Sequence, residues 1–205
     1  MIAVIDYGVG NLFSLCSSLR SIGAETVVTA EPAQLRAADK LILPGVGAFA
    51  DAARKLRDSG LDRVICAEAA AGKEILGICL GMQLLFEKSY EYGEHTGLGL
   101  LRGSVVPMEG KLPPELKIPH IGWNALKFQK QSALFRNISD GDCVYFVHSY
   151  YVAGCAESVI ATTEYGIDLT AAVEQGNVKG CQFHPEKSGR VGLNILRAFC
   201  EGETV

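Results

Sequence analysis

EILGICLGMQLLF, residues 74–86, runs from a β-branched apolar segment into a Leu/Met/Gln segment, with a single cysteine between two glycines at the join. Glu74–Ile78 reads as a buried strand and Leu80–Lys88 as a helix, with almost no loop between them. The same alternation recurs toward the N-terminus. Ile2–Asp6 reads as a strand, and Leu12, Leu15, Cys16, Leu19 and Ile22 follow at helical spacing. Thr26–Thr29 and Lys40–Leu43 read as further strands, and about Phe49 to Ala70 as helix interrupted near Gly60. Such βα alternation implies a mostly parallel open sheet with helices on both faces.

Beyond Tyr92 the texture changes to short runs between Gly/Pro-rich turns: VVPM, NALKF, CVYFVHSYYV, SVIATTEY, LTAAVEQ and VKGCQF. These suggest antiparallel strands and hairpins. A helical stripe returns only at about Gly189 to Cys200, where Val191, Ile195, Leu196 and Phe199 share one face. No repeat, low-complexity stretch or linker interrupts the chain, so residues 1–205 are expected to form a single α/β domain.

Composition narrows the function. Of 205 residues 48% are hydrophobic and 20% charged, enough apolar material for a real core. With 19 Lys+Arg against 23 Asp+Glu, a formal net charge of −4 and no basic run, nothing marks a nucleic-acid or anionic-membrane surface. The N-terminal MIAVIDYG lacks a basic stretch and so does not resemble an export signal. The apolar run Ile75 to Phe86 is shorter than the about 20 residues a bilayer requires. Seven cysteines, an odd number without a C-x-x-C pair, point to a reducing cytoplasm. Four scattered histidines supply no metal-ligand cluster, and neither a metal nor another cofactor is expected.

Gly77-Ile78-Cys79-Leu80-Gly81 has the G-x-nucleophile-x-G spacing in which a sharp turn lifts the nucleophile off the sheet edge. The N–H groups and dipole of the helix that starts at Leu80 favour a thiolate there. A small core residue at a βα turn is the ordinary alternative, and it holds for the other six cysteines. His184-Pro185-Glu186 offers a base and an acid to orient it, since residues two apart in an extended segment project to one side. H-P-E alone more often marks a strand-end turn; its weight comes from coexisting with the cysteine elbow. His95 and His120 lack an acidic neighbour in register and read as surface or packing residues, whereas His148 is ambiguous. An oxyanion formed at an amide carbonyl needs backbone donors, and the Leu80 N–H is one candidate. Pro44-Gly45-Val46-Gly47, after the strand LIL, is a candidate for the other, although Pro-Gly is a common turn former.

PGVGAF (44–49), GICLGMQLLF (77–86) and CQFHPEKS (181–188) together resemble the class I, triad-type glutamine amidotransferases over essentially the whole chain. Within that class, DYGVGNL (6–12), PHIGWN (119–124) and VHSYY (147–151) are similar to the glutaminase subunits of imidazole glycerol phosphate synthase. The resemblance implies a flavodoxin-like α/β fold in which Cys79 attacks the side-chain amide of glutamine, His184 shuttles protons and Glu186 orients His184. It further implies oxyanion donors at Val46 and Leu80, and substrate contacts from Gly47, Gln83, Ser149 and Tyr150. It implies a heterodimer with a (βα)₈-barrel cyclase subunit that takes the ammonia and makes imidazole glycerol phosphate and AICAR. Asn11, Trp123, Asn124, Tyr145 and Lys187 then fall at or near that interface, although Trp123 alone would read as a core aromatic and Lys187 as a solvated charge.

Two other functions fit the residues. A glutaminase could serve another acceptor, as in surface-sugar amidation, and gene neighbourhood would separate it. A non-catalytic α/β binding module could share the fold, although it would have no physical need for Cys79, His184 and Glu186 together.

Overall fold

A computed structural model describes residues 1–202. The N-terminal part is β1 (Ile2–Ile5), α1 (Leu12–Ser21), β2 (Thr26–Thr29), α2 (Pro32–Ala37), β3 (Lys40–Leu43), α3 (Phe49–Ser59), α4 (Leu61–Ala70), β4 (Glu74–Ile78) and α5 (Leu80–Leu84). There follow β5 (Phe86–Ser89), β6 (His95–Thr96), β7 (Leu101–Pro107), β8 (His120–Ala125), β9 (Lys127–Phe128), β10 (Cys143–His148) and β11 (Tyr150–Ala153). β12 (Val159–Glu164), β13 (Asp168–Gln175), β14 (Val178–Cys181) and α6 (Gly189–Glu201) complete the chain.

An eight-stranded sheet in the order β2-β1-β3-β4-β14-β13-β12-β9 forms the centre. It is parallel from β2 to β14 and antiparallel from β14 outward to β9. Alternation along each strand divides the core. Ala3, Ile5, Leu41, Leu43 and Ile75 pack on one face with Phe49, Leu56 and Ile65. Ile2, Val4, Ile42, Leu76 and Ile78 pack on the other with Leu15, Leu19, Phe183 and Leu196. Sheets covered on both faces by helices require this double burial. The expected α/β architecture, parallel first and antiparallel later, is the one observed.

Four details differ from the sequence-based expectation. The helix read over Leu80–Lys88 ends at Leu84, and Phe86–Ser89 is strand β5, parallel to β7. Leu84, Leu85 and Phe86 are all fully buried, and such an apolar run has no periodicity that separates helix from strand. The Leu84 and Leu85 carbonyls accept from Leu98, Leu100 and Leu101, which stops the helix. The run CVYFVHSYYV breaks at Ser149 into β10 and β11, which belong to different sheets. VKGCQF is not purely antiparallel: β14 pairs parallel with β4 as well as antiparallel with β13. Finally, Pro32–Ala37 forms a helix with Pro32 in its first turn, where the missing N–H costs nothing.

A partly buried ionic cluster ties β3, β4 and β14 to α6. Glu74 meets Lys40 (2.5 Å) and Lys179 (2.7 Å), and Lys40 Nζ donates to the Phe199 carbonyl (2.7 Å). Burial pushes the Glu74 carboxyl up, but hydrogen bonds and charge from Lys179 and Lys40 outweigh it and hold the group below its ordinary value. Removing the shared acid leaves Lys179, whose side chain is only 5% exposed, with Glu174 at 3.5 Å as its remaining acidic partner. With Glu174 still beside Lys179, Glu74→Gln is expected to cost about 1–2 kcal/mol, read as a lowered urea midpoint at unchanged slope; a loss below about 0.5 kcal/mol would place the cluster with ordinary surface pairs.

Candidate active site

Cys79 stands between β4 and α5 at φ 54 and ψ −111, a conformation a side-chain-bearing residue adopts only under constraint. Its N–H donates to the Cys181 carbonyl on the neighbouring strand (2.8 Å), and its carbonyl accepts from the Gln83 N–H (3.1 Å). The flanking glycines are required by close approach. A Cβ on Gly81 would lie 1.8 Å from the Leu43 carbonyl oxygen, and one on Gly77 would lie 2.7 Å from the Met82 backbone nitrogen. The elbow inferred from spacing is thus a packed junction in which neither glycine can be replaced.

His184 follows β14 and is buried. Its backbone N–H donates to the Tyr145 carbonyl (2.9 Å), and its carbonyl accepts from Ser188 Oγ (2.7 Å). Nδ1 meets Glu186 Oε1 at 2.8 Å, so Nε2 is left for the cysteine. The predicted proximity of His184 and Glu186 holds, but the predicted extended segment does not. Pro185–Lys187 is a 3₁₀ turn, because proline is accepted in a first helical turn and excluded only from helix interiors. Glu186 Oε2 is buried with no hydrogen-bond partner among the described residues. A carboxylate in that state is costly unless a cation sits beside it.

His184 supplies the cation. Burial pulls the imidazole down, but the hydrogen bonds it donates to Cys79 and Glu186, reinforced by their charges, raise it to about 9. Cysteine, protonated imidazole and carboxylate are thus arranged as nucleophile, proton carrier and orienting acid.

The cleft above Cys79 has a volume of about 520 Å³. Val46, Gly47, Leu80, Gln83, Ser149, Tyr150 and His184 all line it, so every residue expected for catalysis or substrate contact converges there, with Glu186 behind His184. Two expectations need correction. α5 has only five residues, so its dipole is weaker than a long helix would give. The Leu80 N–H is not free: it donates to the Gly45 carbonyl (3.3 Å), which turns the Gly45–Val46 peptide oxygen toward the site.

The remaining expected residues lie on a neighbouring face. Trp123 of β8 is 55% exposed, not a core aromatic, and packs edge-on against Tyr145 of β10 (6.0 Å). Lys187 Nζ sits over the Tyr145 ring (5.8 Å) and also borders the cleft. Asn124 bonds His120 and the Glu164 carbonyl. Asn11 caps α1 through Ser14 (3.3 Å), and α1 packs on the Pro185–Lys187 turn.

Several site residues were not anticipated. Tyr7 is buried and its hydroxyl donates to the Pro44 carbonyl (2.7 Å), pinning the PGVG loop. Glu91 and Glu109 bring carboxylates to the cleft. Gln182 donates to Cys79 Sγ (3.6 Å) and accepts from Gln83 (2.9 Å). Of these only Gln182 had a signal, a polar residue flanked by Cys181 and Phe183 in a strand-end motif.

Residues 3–201 match the family model of class-I glutamine amidotransferases. The chain belongs to that family. The fold agrees: PurLQS of Thermotoga maritima superimposes with a TM-score of 0.75 at 20% identity, over 98% of this chain and 97% of that one. Imidazole glycerol phosphate synthase subunit HisH of Bacillus licheniformis is 52% identical, over 97% of this chain and 95% of its own. The HisH of Oceanobacillus iheyensis is 49% identical over 98% of each. Within the class, then, this chain is of the HisH type, a glutamine amidotransferase of the synthase subunit family, and release of ammonia from glutamine is the chemistry its cleft must explain.

The His184 pKa sets a pH expectation. A group whose pKa rises on folding, here from 6.5 to about 9, stabilises the fold fully below 6.5 and loses that contribution as pH climbs through about 9. The urea midpoint of the wild type should therefore fall between pH 6.5 and 9.5 by more than that of His184→Asn; parallel falls would show that the imidazole is not held charged.

Proposed function

We propose that this chain hydrolyses glutamine through a Cys79 thioester and hands the ammonia to a (βα)₈-barrel cyclase subunit, as the glutaminase half of imidazole glycerol phosphate synthase. The observation that carries it is the convergence in one cleft of a strained cysteine elbow, a 2.8 Å His184–Glu186 pair and the polar groups of Gln83, Ser149 and Tyr150. Cys79 Sγ attacks the side-chain carbonyl, and His184 gives its Nε2 proton to the departing nitrogen, so ammonia leaves first. Water then adds to the thioester with His184 as general base; the C–S bond breaks, glutamate leaves, and the proton taken from water restores the protonated His184 beside the freed sulfur. Glu186 keeps Nδ1 bonded and Nε2 aimed at sulfur throughout. At the far end of the cleft Glu91 is suited to the α-ammonium of glutamine, and its Oε2 is fixed by the Phe49 N–H (2.5 Å).

The oxyanion needs two donors, and the loop as it stands offers one occupied donor and an oxygen. Rotation of the Gly45–Val46 peptide would free the Leu80 N–H and bring the Val46 N–H to the site. Val46 and Gly47 are exposed, and Gly47 stands at φ 96, so the loop has room for the change. A partner that favours the rotated loop would switch the glutaminase on, which keeps ammonia from being made where water would protonate it. The face with Trp123, Ile121 (57% exposed), Tyr145 and Lys187 suits that partner, being aromatic, apolar and next to the cleft. Seven free thiols suit a reducing cytoplasm. The intact cysteine, histidine and acid speak against a binding module, and the HisH-type relatives against service to another acceptor.

The test is glutamate release from glutamine by the full chain, with and without a barrel cyclase subunit and its nucleotide ligand. Strong stimulation by both together is expected. Cys79→Ala should abolish release without unfolding the chain, His184→Ala should be nearly as severe, and Glu186→Ala should cost less, within about 10²–10⁴-fold. Turnover retained by Cys79→Ala would overturn the assigned nucleophile, and activity indifferent to the cyclase would redirect the ammonia to another acceptor.

A further inference from the structure

A run of buried polar groups leads away from Cys79. Gln182 bonds Cys79 Sγ and Gln83, and Gln83 Nε2 also donates to the Tyr150 carbonyl (3.2 Å). The same oxygen is met by His148 Nδ1 (2.9 Å). His148 Nε2 lies 3.1 Å from His120 Nδ1, and His120 Nε2 lies 2.9 Å from Asn124 Oδ1. Asn124 Nδ2 then donates to the Glu164 carbonyl (3.1 Å). The run begins at the nucleophile, crosses β8 at Asn124, one residue from the exposed Trp123, and ends on the Glu164 carbonyl of β12.

From Tyr150 to Glu164 this run is closed at both ends by carbonyl oxygens, which only accept. Its four contacts need four hydrogens. Two neutral imidazoles supply one each and Asn124 one, so with both rings neutral two lone pairs face each other somewhere in the run. Turning the Asn124 amide over moves the deficit to the Glu164 carbonyl, the solvent-exposed end of the run. One added proton, shared by the two rings, satisfies every contact.

The surroundings make that proton hard to hold. His120 is stacked between Phe146 (4.9 Å) and Tyr165 (4.1 Å), and His148 is tilted against Phe146 (5.6 Å). Besides each other, the titratable groups that face the pair are His184 from the catalytic turn and Tyr165 on His120; among the described residues no carboxylate acts on either ring. Burial lowers both imidazoles, His148 to about 3, against the opposing pull of the Tyr150 carbonyl and of Asn124.

We propose that His120 and His148 are positioning residues for glutamine hydrolysis: they tie the Ser149–Tyr150 wall of the cleft, and Gln83 with it, to strand β8, and the tie tightens when the pair takes up one shared proton in acid. The proposal rests on the glutaminase function above. Neither ring contacts the sulfur, and their influence passes through the Tyr150 carbonyl and Gln83, so it falls on glutamine binding rather than on the chemical step. The charged and neutral pairs are two discrete states, and anything that seats on β8 can bias them.

The test combines ¹⁵N-histidine NMR titration of the full chain with glutaminase kinetics. In the wild type the His120 and His148 ring nitrogens should shift together in a single one-proton step below pH 6.5, the ordinary histidine value. Asn124→Asp places a carboxylate on His120 and should move the step up by at least about one pH unit. His120→Phe keeps a stacked ring but removes the clamp. It should abolish the step and raise KM for glutamine about tenfold, with kcat changed less than about threefold. Independent titration of the two rings, a step indifferent to Asn124→Asp, or an unaltered KM in folded His120→Phe would each overturn the proposal. If His120→Phe does not fold, the wild-type step and its displacement by Asn124→Asp decide. A wild type that releases no glutamate with any partner would sink the glutaminase function and the positioning role with it, yet leave the shared step standing; release without a shared step would sink the histidine pair alone.

Discussion

The backbone at Cys79 cannot relax, and the site depends on that. β4 is held between β3 and β14, and α5 is pressed so closely on β3 that a single methyl at Gly81 would collide with the Leu43 carbonyl. The residue joining them must turn within one peptide, which drives it to φ 54 at a cost of about 1–3 kcal/mol. The parallel sheet bears that cost through its two buried faces, and the reward is a sulfur lifted above the strand ends. The same sheet edge delivers His184 from β14, the strand next to β4.

Charge is arranged as strictly as backbone. Glu186 is nearly inaccessible and one of its oxygens has no partner, an arrangement that is tolerable because His184 beside it is held protonated. A related device stands at the opposite ends of the strands, where the partly buried Glu74 is held between Lys40 and Lys179. In both places an acid shielded from solvent in whole or in part is fixed by a neighbouring cation, once for stability and once for proton transfer. The loop that would complete the oxyanion site is instead exposed and faces the wrong way, so the chain alone holds a charged pair beside an unfinished site.

Legibility in the sequence followed the range of the interaction. The elbow and the His184–Glu186 pair were readable because the constraint lies within five residues in one case and three in the other. The βα order was readable because period-2 and period-3.6 patterns are local. The end of α5 was not, since Leu84, Leu85 and Phe86 are buried on every side and only the later Leu98–Leu101 segment claims their carbonyls. Tyr7, Glu91 and the His120–His148 pair act across 28 to 42 residues of chain, and nothing next to them in the sequence announces a partner. Trp123 looked like core for the same reason: its neighbour Tyr145 lies on another strand, and only the pairing of β8 with β10 turns both rings outward.

The measurement that bears most directly on this account is labelling of the full chain with a chloroketone analogue of glutamine, followed by peptide mapping. The strained elbow, the charged His184 and the cleft predict one equivalent of label, on Cys79, with glutamine protecting. Label on Cys66 or on exposed Cys143 in preference to Cys79, or labelling that glutamine does not slow, would contradict it.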